Sequence, residues 1–485
     1  MKRIFSLLLA SLITASCFVS CGQSGDGTPE NGANENAQNA SEETAEETEP
    51  SYLETLGQRN FGGANYIITV SQAGDLPCFA VELTGDVVND AIYSRDRAVE
   101  AAYNIVIDTH EVPEGPQTAI DITNSTLAGD FYSDLFMDCL SDGKNYMGYT
   151  FQHGVLYNLL DVPYLSLDQS WWSSLLYDQL QYNGKMFFTS GDIATPSYTS
   201  PSCLFMDLQV AENSSISENE IYSLVYDGAW TIDEVMKRTQ GLKRDLNGDG
   251  VIQPADDAYG ITSANIWLTS NQICVGAGIK FCEIDDSGLL SINLNNEKTH
   301  NILNKLKECF CEISPSDDWS PIFTTFKMDR ILFLVHFVGT SISFRDMESD
   351  FTILPMPKYS AEQESYMSLT NPWTHSYVSI PLIQNDIERT GFITEALEYM
   401  TVETVRPTIY DVTLKDKVSR NEDSQRMLDI IFDTTYIDFN TLCNIGETAQ
   451  IVCDTLFFDK DLSSAYVKKA KVVEKELENL MALFE

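Results

Sequence analysis

NYIITVS, Asn65 to Ser71, and NDAIYSRDRAVEAAYNIVIDTHEV, Asn89 to Val112, decide how the chain is read. The first is a strand by its aromatic and β-branched content. In the second, Ala91, Arg95, Ala98 and Ala102 suit a helix, and YNIVIDTH continues as another strand. Strand, helix, strand implies a βαβ unit, hence a parallel sheet with helices on both faces and an α/β fold class.

Outward from this unit the elements keep alternating. Asn183-Gly184 favours a tight turn leading into KMFFTS. Thr231 ahead of Asp233 and Glu234 marks a helix start, because the carboxylates suit the positive end of the helix. IERTGFITEALEYMTVETV and NEDSQRMLDIIFDTTYID are helical by apolar spacing. The tail SSAYVKKAKVVEKELENLMALF predicts an amphipathic helix with Val467, Ala470, Val473, Leu477 and Leu480 on one stripe. No repeat of fixed period is present.

The first twenty residues, MKRIFSLLLASLITASCFVS, place basic residues ahead of an apolar run that ends in small residues, the layout of a secretory signal. FVSC resembles a bacterial lipobox, which implies lipidation of Cys21 and loss of residues 1–20. Residues 21–51 then form an acidic tether with no aromatic or basic residue, too polar to offset the entropy of ordering. No later segment is long and apolar enough to span a bilayer.

The formal charge of −42 disfavours nucleic acid and anionic lipid as partners. Of the 11 cysteines two lie in the signal region and the rest are scattered over a long body that needs no staples, so most read as buried apolar residues.

DLNGDGVIQPADD, from Asp245, has the spacing of a calcium loop: Asp245, Asn247 and Asp249 at positions 1, 3 and 5, Gly250 at 6, the Val251 carbonyl at 7 and Asp256 at 12. Asp256 is shorter than the usual glutamate, and Asp257 is its substitute in a slightly shifted loop. The expectation is a structural Ca2+ that clips the turn before AYGITS.

Catalytic signatures are thin. No HExxH, GxSxG or GxxxxGK[ST] occurs, and NFGGAN at Asn60 to Asn65 precedes the first strand, where it cannot serve a dinucleotide. Aromatics lead further: 6 tryptophans and 22 tyrosines suit sugar rings, which offer an apolar face to an indole and hydroxyls to carboxylates and amides. Trp230 just before a helix start, and Trp267 and Trp373 in polar loop contexts, are the candidates. Of the adjacent Trp171 and Trp172, at most one is expected to reach a cleft while the other packs inward. Arg95 is either a carboxylate partner at the edge of the βαβ unit or a plain surface position.

Four segments, Gly85 to Ile107, Leu159 to Ile193, Ile221 to Gly260 and Glu388 to Ile431, with FTTFKMDRILFLV and DFTILPMPK between Phe323 and Lys358, carry a family likeness in their order and spacing. The chain resembles the extracellular solute-binding lipoproteins of bacterial ABC importers, of the sugar-binding type with a maltodextrin-binding-protein-like fold. The resemblance implies two α/β lobes joined by crossing hinge strands, a carbohydrate closed in the cleft between them, delivery to an ABC permease, no catalysis, and a monomer held at the outer face of the cell membrane. Mapped onto the chain, lobe one holds 52–200 with 323–372, and lobe two 201–322 with 373–485. It also implies that Asp130 lies near the cleft; Trp230, Trp267, Trp373 and Arg95, read above from the residues themselves, are the other ligand-binding candidates. Asp329 stands where family members often have glycine. The alternatives from other classes are an exported glycan-active hydrolase, which needs a pair of carboxylates, and a surface glycan-adhesion protein.

Overall fold

A computed structural model describes residues 52–71, 76–112, 116–140, 146–253, 255–310, 319–410 and 421–485. The signal-like segment, Cys21 and the tether up to residue 51 lie outside the described residues.

The opening unit forms as its sequence requires. Strand Ala64–Ser71 leads to helix Val87–Tyr103, whose N-cap Asp86 accepts hydrogen bonds from the amides of Val88 and Asn89. Asn104 ends the helix in the left-handed conformation at φ 51°, a cost that asparagine bears better than most residues. The chain then returns as strand Ile105–Val112, parallel to the first, with Ala64 opposite Ile105 and Ser71 opposite Val112. Ile105 and Ile107 are buried while Val106 faces out, as befits an edge strand with one covered face.

Two four-stranded sheets organise the protein. In the first, Ala64–Ser71 lies between Ile105–Val112 and Leu135–Asp138, both parallel to it, and Tyr377–Ser379 adds antiparallel to Leu135–Asp138. In the second, Ser202–Asp207 lies between Ile331–Phe337 and Phe351–Leu354, antiparallel to both, and Tyr259–Ser263 adds parallel to Ile331–Phe337. SCLFMD and ILFLVHF are buried along their whole length, which explains their near-continuous apolar character.

Strand pairing corrects the expected lobe boundaries. Residues 323–372, assigned above to the same lobe as 52–200, contain two strands that pair with Ser202–Asp207, so this segment belongs to the second sheet. Tyr377–Ser379 belongs to the first sheet, although 373–485 was assigned to lobe two. Asp329, at the glycine-like position before the returning strand, has φ 57°, the left-handed conformation a glycine would adopt freely.

Helix Ile387–Thr404 packs on Val87–Tyr103. Phe392 meets Tyr103 edge-on at 4.9 Å, and a Cβ at Gly391 would stand 1.9 Å from the Pro163 carbonyl oxygen, so only glycine lets the helix lie this close. The Asn183-Gly184 turn forms, with Tyr182 and Lys185 exchanging two backbone hydrogen bonds of 3.0 Å. Thr231 caps helix Ile232–Thr239 through its backbone, without a side-chain bond. In the C-terminal helix, Leu462–Ala482, the buried positions are Leu462, Val473 and Leu480, while Val467 and Ala470 are exposed. The stripe runs instead through Ala465 and Tyr466, which are partly buried, because 3.6 residues per turn displaces it from the spacing assumed.

Candidate functional site

Among the described residues, two connections between strands of the two sheets lie side by side. Pro201 bridges Thr370, the Asn371 amide donates to the Ser200 carbonyl at 2.9 Å, and Ser200 Oγ and His375 Nδ1 are 2.7 Å apart. Burial pushes the His375 imidazole down to about 3, so the ring is neutral and the bond carries no charge at physiological pH. The connections are tied to each sheet at its carboxyl end: Leu140 donates to the Pro372 carbonyl in the first, and Val338 and Gly339 donate to Pro201 and Thr199 in the second.

Ligands in open α/β sheets bind outside the carboxyl ends of the strands. Trp373 stands on the second connection. Trp267 stands in helix Ile266–Gly276, which follows strand Tyr259–Ser263 and is capped by Asn265 through a 2.9 Å bond to the Leu268 amide. The two half-buried indoles meet edge-on, ring centroids 5.0 Å apart and planes at 72°. Asn271, Phe281, Asn440, Thr441 and Asn444 close a small cavity beside them. Its volume is about 30 Å³, room for one or two water molecules, so a sugar ring enters only when the walls part. Asn444 has φ 46°, and its buried Oδ1 takes no hydrogen bond from the described residues, leaving an acceptor at the cavity wall.

The other candidates lie elsewhere. Trp230 is fully buried, donates from Nε1 to the Pro355 carbonyl at 3.1 Å and stacks near Phe333, so it is a core residue of the second sheet and lines no cleft. Arg95 is also fully buried. It donates to Asp96 from two nitrogens at 2.9 and 2.7 Å, to Thr401 and to the Cys78 carbonyl, which uses its donors within the fold. Asp130 is exposed just after helix Gln117–Ala128, before strand Leu135–Asp138 begins, and so at the end of the sheet opposite the carboxyl ends. Trp171 and Trp172 both pack inward. Both are buried, and their indole N–H groups donate to the two oxygens of one carboxylate, Glu395, at 3.0 and 2.9 Å.

The acidic loop is ordered by its own amides. Asp245 accepts from Gly248 and Gly250, Asn247 from Asp249, and Asp249 from Val251. Asp257 accepts from the Leu246 and Gln253 amides, which hold its carboxyl below the usual range, and Asp256 accepts from Gln253 Nε2. Among the described residues no group of three His, Cys, Asp or Glu side chains is placed to hold a metal. A calcium here would need Asn247 and the Val251 carbonyl to complete the set. Seven of the eight cysteines among the described residues are buried.

No family model matches the chain, and no curated protein is significantly similar to it. Solved structures are. A cyclo/maltodextrin-binding protein complexed with maltotetraose shares 11% identity at a TM-score of 0.57, over 86% of this chain and 97% of that one. An ABC substrate-binding protein from Listeria monocytogenes in complex with cycloalternan shares 12% at 0.53, over 86% and 99%. The maltose/maltodextrin-binding domain from Bdellovibrio bacteriovorus bound to maltotriose shares 13% at 0.52, over 86% and 100%. The chain has a periplasmic-binding-protein fold.

In a periplasmic-binding-protein fold of two lobes the two sheets are the lobe cores, and the paired connections are part of the hinge. Asn271, Asn440 and Asn444 were not singled out from sequence. Nothing marks them there, since asparagine is as common in turns as at binding sites.

Proposed function

We propose that the protein is the extracellular solute-binding component of an ABC importer, capturing a carbohydrate between its lobes and handing it unchanged to a membrane permease. The Trp267–Trp373 pair at the hinge carries this reading: indoles take the apolar face of a pyranose, while the amides of Asn271, Asn440 and Asn444 suit its hydroxyls. The neighbours bound to maltotetraose, maltotriose and cycloalternan support the substrate class. Sugar contacts made by both walls favour the closed state, and opening releases the sugar. No covalent step is involved.

The test is a melting series with maltose, maltotriose, maltotetraose and cycloalternan. A ligand that binds only the folded state raises Tm as its concentration passes Kd. Indifference to all four, with stabilisation by a peptide or polyamine, overturns the carbohydrate assignment. The same proposal has a monomer, anchored by lipid at Cys21, with calcium in the Asp245–Asp257 loop. Mass spectrometry of the native N-terminus tests the anchor: an unlipidated front residue rules it out.

A further inference from the structure

The hinge has a second face. Along the second connection Leu369 lines the tryptophan cavity and Thr370 lines a different one, as adjacent residues of an extended segment must. This reverse cavity has a volume of about 440 Å³, within the ~300–1,000 Å³ usual for small-molecule sites.

Its walls come from both lobes. Trp171 and Asp192 belong to segments held against the first sheet, where Thr189 bridges Val378. Phe432 ends helix Glu422–Phe432, which packs on strand Phe351–Leu354 of the second. Tyr410 and Phe432 are half-buried with ring centroids 6.2 Å apart, so each keeps part of a ring uncovered.

The polar groups are also built. Asp192 accepts from Tyr198 through one oxygen and pairs with Arg406 at 3.1 Å through the other, which neutralises the guanidinium. His375 is 4% exposed, and while Nδ1 is held by Ser200, Nε2 takes no partner among the described residues. A buried nitrogen in the wall of a cavity of this size is a group awaiting a hydrogen-bond partner. Asp433 and the hydroxyls of Ser170, Ser174 and Thr435 complete the mouth. Arg406 is the only lysine or arginine among the described residues of the wall and is already paired, and Asp433 is in surplus, so an anion is disfavoured. Ring faces beside hydroxyls and carboxylates fit a neutral polyol.

We propose that this cavity is a second binding site, for a neutral polyhydroxylated ring of mono- to disaccharide size, on the face of the hinge opposite the tryptophan pair. It rests on the reading above for the choice of carbohydrate as ligand. The Asp192–Arg406 pair and His375 fix hydroxyls, and Tyr410 and Phe432 cover the ring.

Equilibrium dialysis of the full chain against radiolabelled maltose and glucose counts the sites. For at least one of the two sugars, wild type is expected to hold two equivalents and the Trp267→Ala/Trp373→Ala variant one, with its Kd changed less than threefold. Adding Ser174→Trp, at an exposed position in the mouth, or Tyr410→Ala is expected to remove that last equivalent while the melting profile stays cooperative. If the tryptophan variant binds none of either sugar while wild type binds one, the reverse cavity takes no sugar and the importer reading stands. A last equivalent that survives both Ser174→Trp and Tyr410→Ala lies elsewhere and also overturns the proposal. If wild type binds neither maltose nor glucose, the reverse cavity takes no sugar and the proposal is overturned, while the importer reading is decided separately by the melting series.

Discussion

Trp267 and Trp373 lie 106 positions apart in sequence, yet their rings meet edge-on at 5.0 Å, one from the second lobe and the other from the hinge. Removing either ring strips an aromatic contact from the proposed sugar, worth about 1 kcal/mol or more beyond its buried area. W267A and W373A are each expected to weaken maltotetraose binding about tenfold or more, since 1.4 kcal/mol is a factor of ten. Isothermal titration reads this directly, and an unchanged Kd in both variants removes the pair from the site.

Trp230 is the contrasting case. W230A leaves a void in the core of the second lobe and is expected to cost about 3–5 kcal/mol of stability. Urea unfolding measures the loss. A variant that keeps wild-type stability but loses sugar binding would return Trp230 to the cleft.

Glu395 gathers four donors: Trp171, Trp172, the Tyr52 hydroxyl and the Ser166 amide. Each buried donor left without an acceptor costs about 1–3 kcal/mol. E395A is therefore expected to lower Tm far more than E395Q, whose amide oxygen still accepts. Equal losses in the two variants would mean that the bonds contribute little.

Asp192 gives the pH dependence. Burial, offset in part by Arg406 and the Tyr198 bond, raises its carboxyl to about 6 in the folded protein, against an ordinary value near 4 in the unfolded chain. Glu398, whose carboxyl is itself raised by burial, and Tyr410 stand nearby. The native state thus binds the proton more tightly, and stability from this group is complete below pH ~4 and lost as pH rises to ~6. Relative to D192N, wild type should lose at most about 3 kcal/mol across that window, from 1.36 kcal/mol per unit. Paired urea melts at pH 4 and pH 7 test it: a constant difference between the two proteins refutes the shift.

Calcium is expected to raise Tm at millimolar concentration, with reversal by a chelator and loss of the effect in D249A. Identical melts with and without calcium would leave the loop a clip made of its own amides.

How much of this was legible beforehand follows from how local each signal is. The βαβ unit showed because its period changes within one continuous stretch, and Asn183-Gly184 because a two-residue turn carries its own conformational demand. Arg95 and Glu395 did not, because their partners Thr401, Tyr52 and Ser166 arrive from 229 to 343 residues away. Trp230 sits among turn residues, DGAW, that look solvated until Phe333 and Pro355 cover the ring. The lobe of 323–372 is set by which strand Ile331–Phe337 pairs with, and apolar runs such as ILFLVHF do not name their neighbours.

The two connections do not act as independent strings. Bonded at Pro201 to Thr370, at Asn371 to Ser200 and at Ser200 to His375, they form one two-ply ribbon. A ribbon resists shear between its plies but yields to flexure across its flat side. Flexure across the flat side is thus the motion that these two plies allow most readily, and it widens the space on one side of the ribbon as it narrows the space on the other.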